Sequence, residues 1–246
     1  MVGAYHDAAE TRDNVSPMTP RQKWILLGIG VAAIAGYFYY RSRKGGGLGR
    51  TRYVPGRFPQ APAIDGYSDG NMKTTVRASS DMPIEERLAS IQDLVHKSVQ
   101  DPEMRKLALQ ITSKCAERDG ECEAKAIYDF VKKNVRYTGD VAPIQFPNGD
   151  VEGIDLYQSA RRTVEFAGGD CDDQSILIAT LLALNGITPR LRVMKESSAE
   201  DFSHIFPLAG LPKNNPTTWT ALDTTLPGRN KFGVEVPYAE ALDFPA

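Results

Sequence analysis

Three residues stand in an order that could do chemistry: Cys171, then His204, then Asp223. A thiol attacks only as its thiolate. A histidine beside it can take the proton, and a carboxylate behind the histidine fixes the ring's tautomer and steadies its positive charge. Cys171 lies in Gly168-Gly169-Asp170-Cys171-Asp172-Asp173-Gln174, followed by the apolar run Ser175 to Leu184 and closed by Asn185-Gly186. That pattern predicts a helix opening at the cysteine. There, outward N–H groups and the positive end of the helix dipole favour the thiolate, and the Cys171 N–H is available to an oxyanion. The three neighbouring acids oppose this by raising the thiol's pKa. Asp170 is therefore expected as the N-cap and Asp173 is expected to face the first-turn amides. A protonated histidine is left as the main support of the thiolate. The glycine pair is read as a place of unusual backbone angles or close substrate approach.

In Phe202-Ser-His-Ile-Phe206, strand alternation puts Phe202, His204 and Phe206 on one face. In Trp219 to Thr224 it puts Trp219, Ala221 and Asp223 on one face. If these strands are antiparallel neighbours, His204 and Asp223 lie side by side, with one ring nitrogen toward Asp223 and the other toward Cys171. His6, in the polar tail, and His96, in the first helix, are expected at the surface. Cys115 and Cys122 flank a turn. Buried or free thiols are expected there first, a small-loop disulfide second and a metal pair last, since no CxxC or histidine cluster accompanies them. No cofactor and no metal is expected.

The elements that must hold these residues begin at Asp81. Ile84, Leu88, Ile91, Leu94, Val95 and Val99 form one helical stripe. Met104, Leu107, Ala108, Ile111 and Cys115 form a second, and Ala126, Ile127, Phe130, Val131 and Val135 a third, starting near Cys122. Residues 140–167 read as irregular. The helix from Cys171 to Leu184 is apolar nearly all round and must be core. After it come strand-like segments at Leu191–Met194, Phe202–Phe206 and Trp219–Thr224, with Asn214-Asn215-Pro216 as a hairpin tip. The stretch from Val236 to Ala246 shows no clear pattern. Helices first and strands later predict an α+β fold with an antiparallel sheet.

The residues that bear this layout resemble a known family. Ala126 to Tyr137 (AIYDFVKKNVRY), Ser159 to Glu165, Gly169-Asp-Cys-Asp-Asp-Gln174, Ser203-His-Ile205 and Leu222-Asp-Thr-Thr225 are similar to the transglutaminase-like superfamily, most of all to its compact bacterial and phage members, over about residues 85–228. The resemblance implies a papain-like core with Cys171 as nucleophile, His204 as base and then acid, and Asp223 as the orienting residue. It implies attack on an amide carbonyl, a thioester, and transfer to water or to an amine. For the oxyanion it leaves the Cys171 N–H as one donor, and Gln145, Tyr137 or Tyr157 as second donors. Some members of the family are catalytically silent binding folds, which sets the alternative of a membrane-tethered or virion structural module.

The remaining sequence bounds the setting. A chain of 246 residues, 41% apolar, can bury one sizeable core, and a net charge of −2 carries no overall nucleic-acid signature. Residues 1–20 read as a flexible tail and 21–44 as a membrane anchor. Within the anchor, Trp24 to Tyr40 is 17 uncharged residues with aromatics at both ends and basic flanks, at the short end of the roughly 17–25 needed to span. A cleaved signal peptide is the competing reading, since Ala33-Ile-Ala35 fits a cleavage site. Gly28, Ala32 and Gly36 form a small-residue face suited to helix self-association. Arg41, Arg43, Lys44, Arg50, Arg52 and Arg57 follow the span and place the C-terminal bulk on the cytoplasmic or virion-interior side. They are read as topology signal and anionic-lipid contact, with no specific nucleic acid. Residues 45–80, rich in glycine and proline, read as a linker, and 81–246 as the catalytic domain. The expected partner is a protein or peptide substrate near that membrane, with hydrolysis favoured over cross-linking because no second substrate groove is evident.

Overall fold

A computed structural model describes residues 48–53, 66–68, 74–79, 82–140, 144–145, 151–152, 154–197, 201–227 and 231–246. All fall in one compact unit, Gly46–Ala246. The expected tail, the anchor at 24–40 and its Gly28, Ala32 and Gly36 face lie outside the described residues. Among those residues no helix is long and apolar enough to cross a membrane.

There are five described helices: α1 (Ile84–Val99), α2 (Pro102–Thr112), α3 (Gly120–Asn134), α4 (Ala160–Phe166) and α5 (Cys171–Leu184). The first three lie where their stripes predict, except that α2 ends at Thr112, before Cys115, and α3 opens at Gly120 and ends at Asn134. Glu85 and Glu86 sit in the first turn of α1, and His96 and Lys97 in its last, both matched to the helix dipole. Asp101 caps α2 by accepting from the Glu103 N–H at 2.9 Å, with Pro102 in the first turn. Asp119 caps α3 through the Cys122 N–H at 3.0 Å. The predicted stripe of α1 (Leu88, Ile91, Leu94, Val95) is buried.

The main sheet has the order β1-β12-β9-β10-β11, with β1 (Leu48–Tyr53), β9 (Thr188–Lys195), β10 (His204–Leu211), β11 (Thr218–Ala221) and β12 (Tyr238–Pro245). Only β1 runs parallel to its neighbour. Helix α5 is the centre of the fold. Its residues from Asp172 to Leu182 are all buried, which is why the run lacks a polar face. One side joins α2 and α3 around Ile127, Val131, Leu177, Ile178 and Leu181. The other joins α1 and the sheet around Leu88, Ile176, Leu191, Val193 and Phe244. Each fully buried Leu or Ile contributes about 1.5–3 kcal/mol, so the nucleophile's helix is anchored along its length.

Several expectations need correction. Three strands fall in the stretch read as linker: β1, β2 (Gly66–Ser68) and β3 (Thr74–Ser79). Strand β1 pairs with β12 and β3 with β7 (Ile154–Gln158), both distant in the chain, while β2 pairs with the nearby β3. The patternless end of the chain is β12, an inner strand of the sheet. Its Ala241, Leu242, Asp243 and Phe244 are all buried, because both faces are covered and period-2 alternation is lost. The stretch expected to be irregular contains β5 (Ile144–Gln145), β6 (Val151–Glu152), β7 and the short helix α4, whose Ser159 side chain caps it at Arg162 N. Cys115 and Cys122 are joined in a disulfide, not held as thiols. The turn between α2 and α3 folds back, with Arg118 at φ 64°, and sets the two Cα atoms 5.7 Å apart, inside the range a disulfide requires.

Candidate active site

The backbone delivers Cys171 through a short parallel pair. Strand β4 (Arg136–Tyr137) pairs with β8 (Gly168–Gly169), Tyr137 opposite Gly169. The left-handed residue here is Ala167 (φ 52°), which ends α4, and neither glycine lies in that region. Gly169 is required for space, not for angle: a Cβ there would meet the Asp173 Cβ at 2.5 Å. Asp170 caps α5, as expected, accepting from the Asp173 N–H at 3.5 Å. Asp173 does not turn to the helix amides. Its Oδ1 accepts from the Gln158 backbone N–H at 2.6 Å and its Oδ2 from the Gln158 side-chain amide.

The three sequence-selected residues come to one end of α5. His204 opens β10, and its Nε2 lies 2.8 Å from Asp223 Oδ2. Asp223 follows β11 in the chain and is 1% exposed; its Oδ1 accepts from Thr225 N–H (3.0 Å) and Thr225 Oγ1 (2.6 Å). Burial alone would raise this carboxyl, but the hydrogen bond and charge of His204, with the Thr225 bonds, hold it below the usual range. Cys171 and His204 line one cavity of about 60 Å³, with Asp172, Arg87, Tyr157 and Phe202. Ser175 Oγ bridges the two elements, 2.6 Å from Cys171 O and 3.3 Å from Ile205 O. His96 sits on α1 away from this set and its Nδ1 lies 2.8 Å from Gln92 O.

The electrostatics at the thiol bear out the opposition read in its neighbours. Burial pushes Cys171 well above the ordinary thiol value, and the charges of Asp172 and Asp170 add to it; the Ile205 N–H, hydrogen-bonded to the sulfur, works the other way. Asp172 is itself raised, by burial and then by the charge and hydrogen bond of Asp170. Asp172→Asn removes the largest charge opposing the thiolate. Its expected effect is a lower titration midpoint for Cys171 and about three-fold faster iodoacetamide labelling at pH 8. A rate equal to or below that of the parent chain contradicts it.

The same acids shape stability. Burial raises Asp173 from 3.8 to about 7 and Asp140 from 3.8 to about 6. Each carries a folded-state pKa above its unfolded value. Its stabilising contribution is complete below about pH 4 and is lost as pH rises through 6 and 7. Asp223, being lowered, loses its contribution only as pH falls below the ordinary carboxylate range. The thermal midpoint should therefore fall between pH 5 and pH 8. A midpoint rising over that interval contradicts the burial of these two carboxyls.

Of the second oxyanion donors, the Tyr157 hydroxyl accepts from Arg87 Nε (3.0 Å) and donates to Asp155 (3.3 Å). Gln145 lies on β5. Tyr137 is 61% exposed and lies within electrostatic reach of the thiol: partial burial, then the Cys171 and Asp170 charges, raises its phenol and keeps it protonated. Among the described residues, Asp170, Cys171 and Asp172 bring three ligand atoms within 4.8 Å, but these belong to the thiol's own surroundings.

Residues 105–223 match the family model "Transglutaminase-like superfamily", a span that runs from α2 through Cys171 and His204 to Asp223. Over that span the chain resembles the transglutaminase-like superfamily. No protein of curated function matches the sequence. Solved structures that resemble it include a cysteine protease candidate from Cytophaga hutchinsonii (19% identity, TM-score 0.38, 70% of this chain and 59% of that one). A protease candidate from Parabacteroides distasonis is 14% identical, with TM-score 0.37 over 55% of this chain and 29% of that one. Calcium-bound LapG of Legionella pneumophila is 16% identical, with TM-score 0.30 over 58% of this chain and 65% of that one. The chain spans less than two thirds of each of these relatives.

Around the site lie polar groups that sequence reasoning gave no role: Gln158, Gln174, Thr224 and Arg87. Most of their partners lie far away in the chain, so no local pattern marks them. Gln174 and Thr224 left traces, within the Gly169–Gln174 and Leu222–Thr225 stretches.

Proposed function

We propose that this chain is a thiol enzyme that acts on protein or peptide amide bonds through a thioester. The observation that carries the reading is the His204–Asp223 pair at 2.8 Å, beside the cavity that Cys171 lines. With Nε2 donating to Asp223, Nδ1 is the nitrogen that takes the thiol proton. The sulfur then attacks the carbonyl carbon. The Cys171 N–H and the Tyr137 hydroxyl donate to the oxygen that gains charge. Collapse breaks the C–N bond, and the amine leaves with the proton from His204. Water, or a second amine, gives a proton to His204 and displaces the thiolate, which regains its proton at the end. No cofactor is needed for this sequence.

The 24–40 segment supports tethering to a membrane, with the substrate close by. The Cys115–Cys122 disulfide favours an oxidising compartment, against the cytoplasmic side that the basic residues indicate. A second reading, a silent binding fold, is favoured by the upward shift of the Cys171 thiol. Incubating the full chain with a peptide library, with and without a primary alkylamine, and reading products by mass spectrometry separates the outcomes. Hydrolysis yields new carboxyl termini or deamidated side chains, and transfer yields amine adducts. Products equally abundant with Cys171→Ala would overturn the enzyme reading.

A further inference from the structure

We propose that Gln174 is a positioning residue that ties the nucleophile's turn to the orienting acid's loop. The proposal rests on the thiol-enzyme reading. Gln174 lies one turn into α5 and is 3% exposed. Its amide is used at both ends. Nε2 donates to Gly169 O at 3.0 Å, in the strand that delivers Cys171, and Oε1 accepts from Thr224 Oγ1 at 2.6 Å, next to Asp223. Thr224 is held from its other side too. Lys132 Nζ donates to Thr224 O at 2.7 Å and also to Leu226 O. The Asp223 loop therefore has two tethers, one to α3 and one to the helix that carries the thiol. The Gln174 tether is the direct one between nucleophile and acid.

A buried amide that satisfies both a carbonyl and a hydroxyl has no cheap substitute. Methionine matches its length and provides neither bond. Glutamate keeps the acceptor, loses the donor and adds charge beside three acids. Losing either bond frees the loop to shift, and a shift of an ångström at Asp223 unseats the ring of His204 that it orients.

The test is the pH dependence of iodoacetamide labelling of Cys171 in the full chain, without reductant, so that the Cys115–Cys122 disulfide keeps those sulfurs silent. Gln174→Met and Thr224→Val should each slow labelling at pH 7 by about ten-fold and push the rise in rate to higher pH, toward the profile of Asp223→Asn. The double variant should be no slower than Gln174→Met alone, because the bond that Thr224→Val removes is already lost once Gln174 is replaced. Thr224→Ser keeps the hydroxyl and should restore the parent rate. If Gln174→Met does not fold, the Thr224 pair decides alone. Parent-like profiles in folded variants, or losses that multiply in the double variant, overturn the tether. If His204→Ala labels as fast as the parent, the thiol-enzyme reading fails and the tether with it; a slow His204→Ala beside normal Gln174 and Thr224 variants rejects the tether alone.

Discussion

His204→Ala should slow iodoacetamide labelling of Cys171 at pH 7 by about 100-fold, the lower end of what a positioned acid–base group contributes. The reason is specific to this site. Burial and the charges of Asp172 and Asp170 hold the thiol well above its ordinary value, so the helix start cannot by itself supply thiolate at neutral pH. The imidazole must take the proton and leave its positive charge beside the sulfur. Asp223→Asn should cost less, about ten-fold, since an asparagine keeps the volume but permits the wrong tautomer. Circular dichroism should show both variants folded. Labelling within two-fold of the parent in His204→Ala would mean that the pair at 2.8 Å does not serve the thiol.

The largest effect on stability is expected at Arg192, on the sheet face opposite α5. Its Nε and a second nitrogen grip Asp243 at 2.5 and 2.8 Å, and its Nη1 reaches Glu235 at 2.6 Å. Arg192 is 8% exposed and Asp243 5%. Arg192→Ala leaves that carboxylate buried without a cation, at a cost of about 3–5 kcal/mol, a large share of the 5–15 kcal/mol of a typical domain. Arg192→Met together with Asp243→Leu removes both charges at similar volume and should recover most of the loss. Urea denaturation measures both. A single variant destabilised by under 1 kcal/mol contradicts the account. The sheet carries the consequence to the site, because Arg192 stands opposite Phe206 and Met194 opposite His204 in the β9–β10 register.

How much of this was legible in the sequence depended on the distance between partners. Helices α1 to α3 and α5 announce themselves through local spacing, and α5 also through its Asp170 cap. The His204–Asp223 pairing could be read because both residues belong to the β10–β11 hairpin, though Asp223 lies past the end of β11 and not directly across from His204. Strands β1 and β12 could not, since each takes its hydrogen bonds from a distant segment and β12 is covered on both faces; β3 also depends on the distant β7. Asp173 was misread for a related reason: its donor, Gln158, belongs to β7, which no local pattern placed beside α5. The Gly168-Gly169 pair was visible, but its cause was not, because the crowding at Gly169 comes from a side chain one helical turn later.

The central claim is that Cys171 forms an acyl-enzyme with the help of His204, and a substrate-independent probe reaches it directly. The full chain is mixed with excess 4-nitrophenyl acetate at pH 7.5 (a condition chosen within the range where imidazoles act as bases, about pH 6–8), the release of nitrophenolate is followed, and the quenched protein is digested for mass spectrometry. The account predicts an initial burst of about one equivalent per chain, an acetyl group on the peptide containing Cys171, and loss of both in Cys171→Ala and His204→Ala. No burst, or acetylation confined to lysines with Cys171 unmodified, would contradict it.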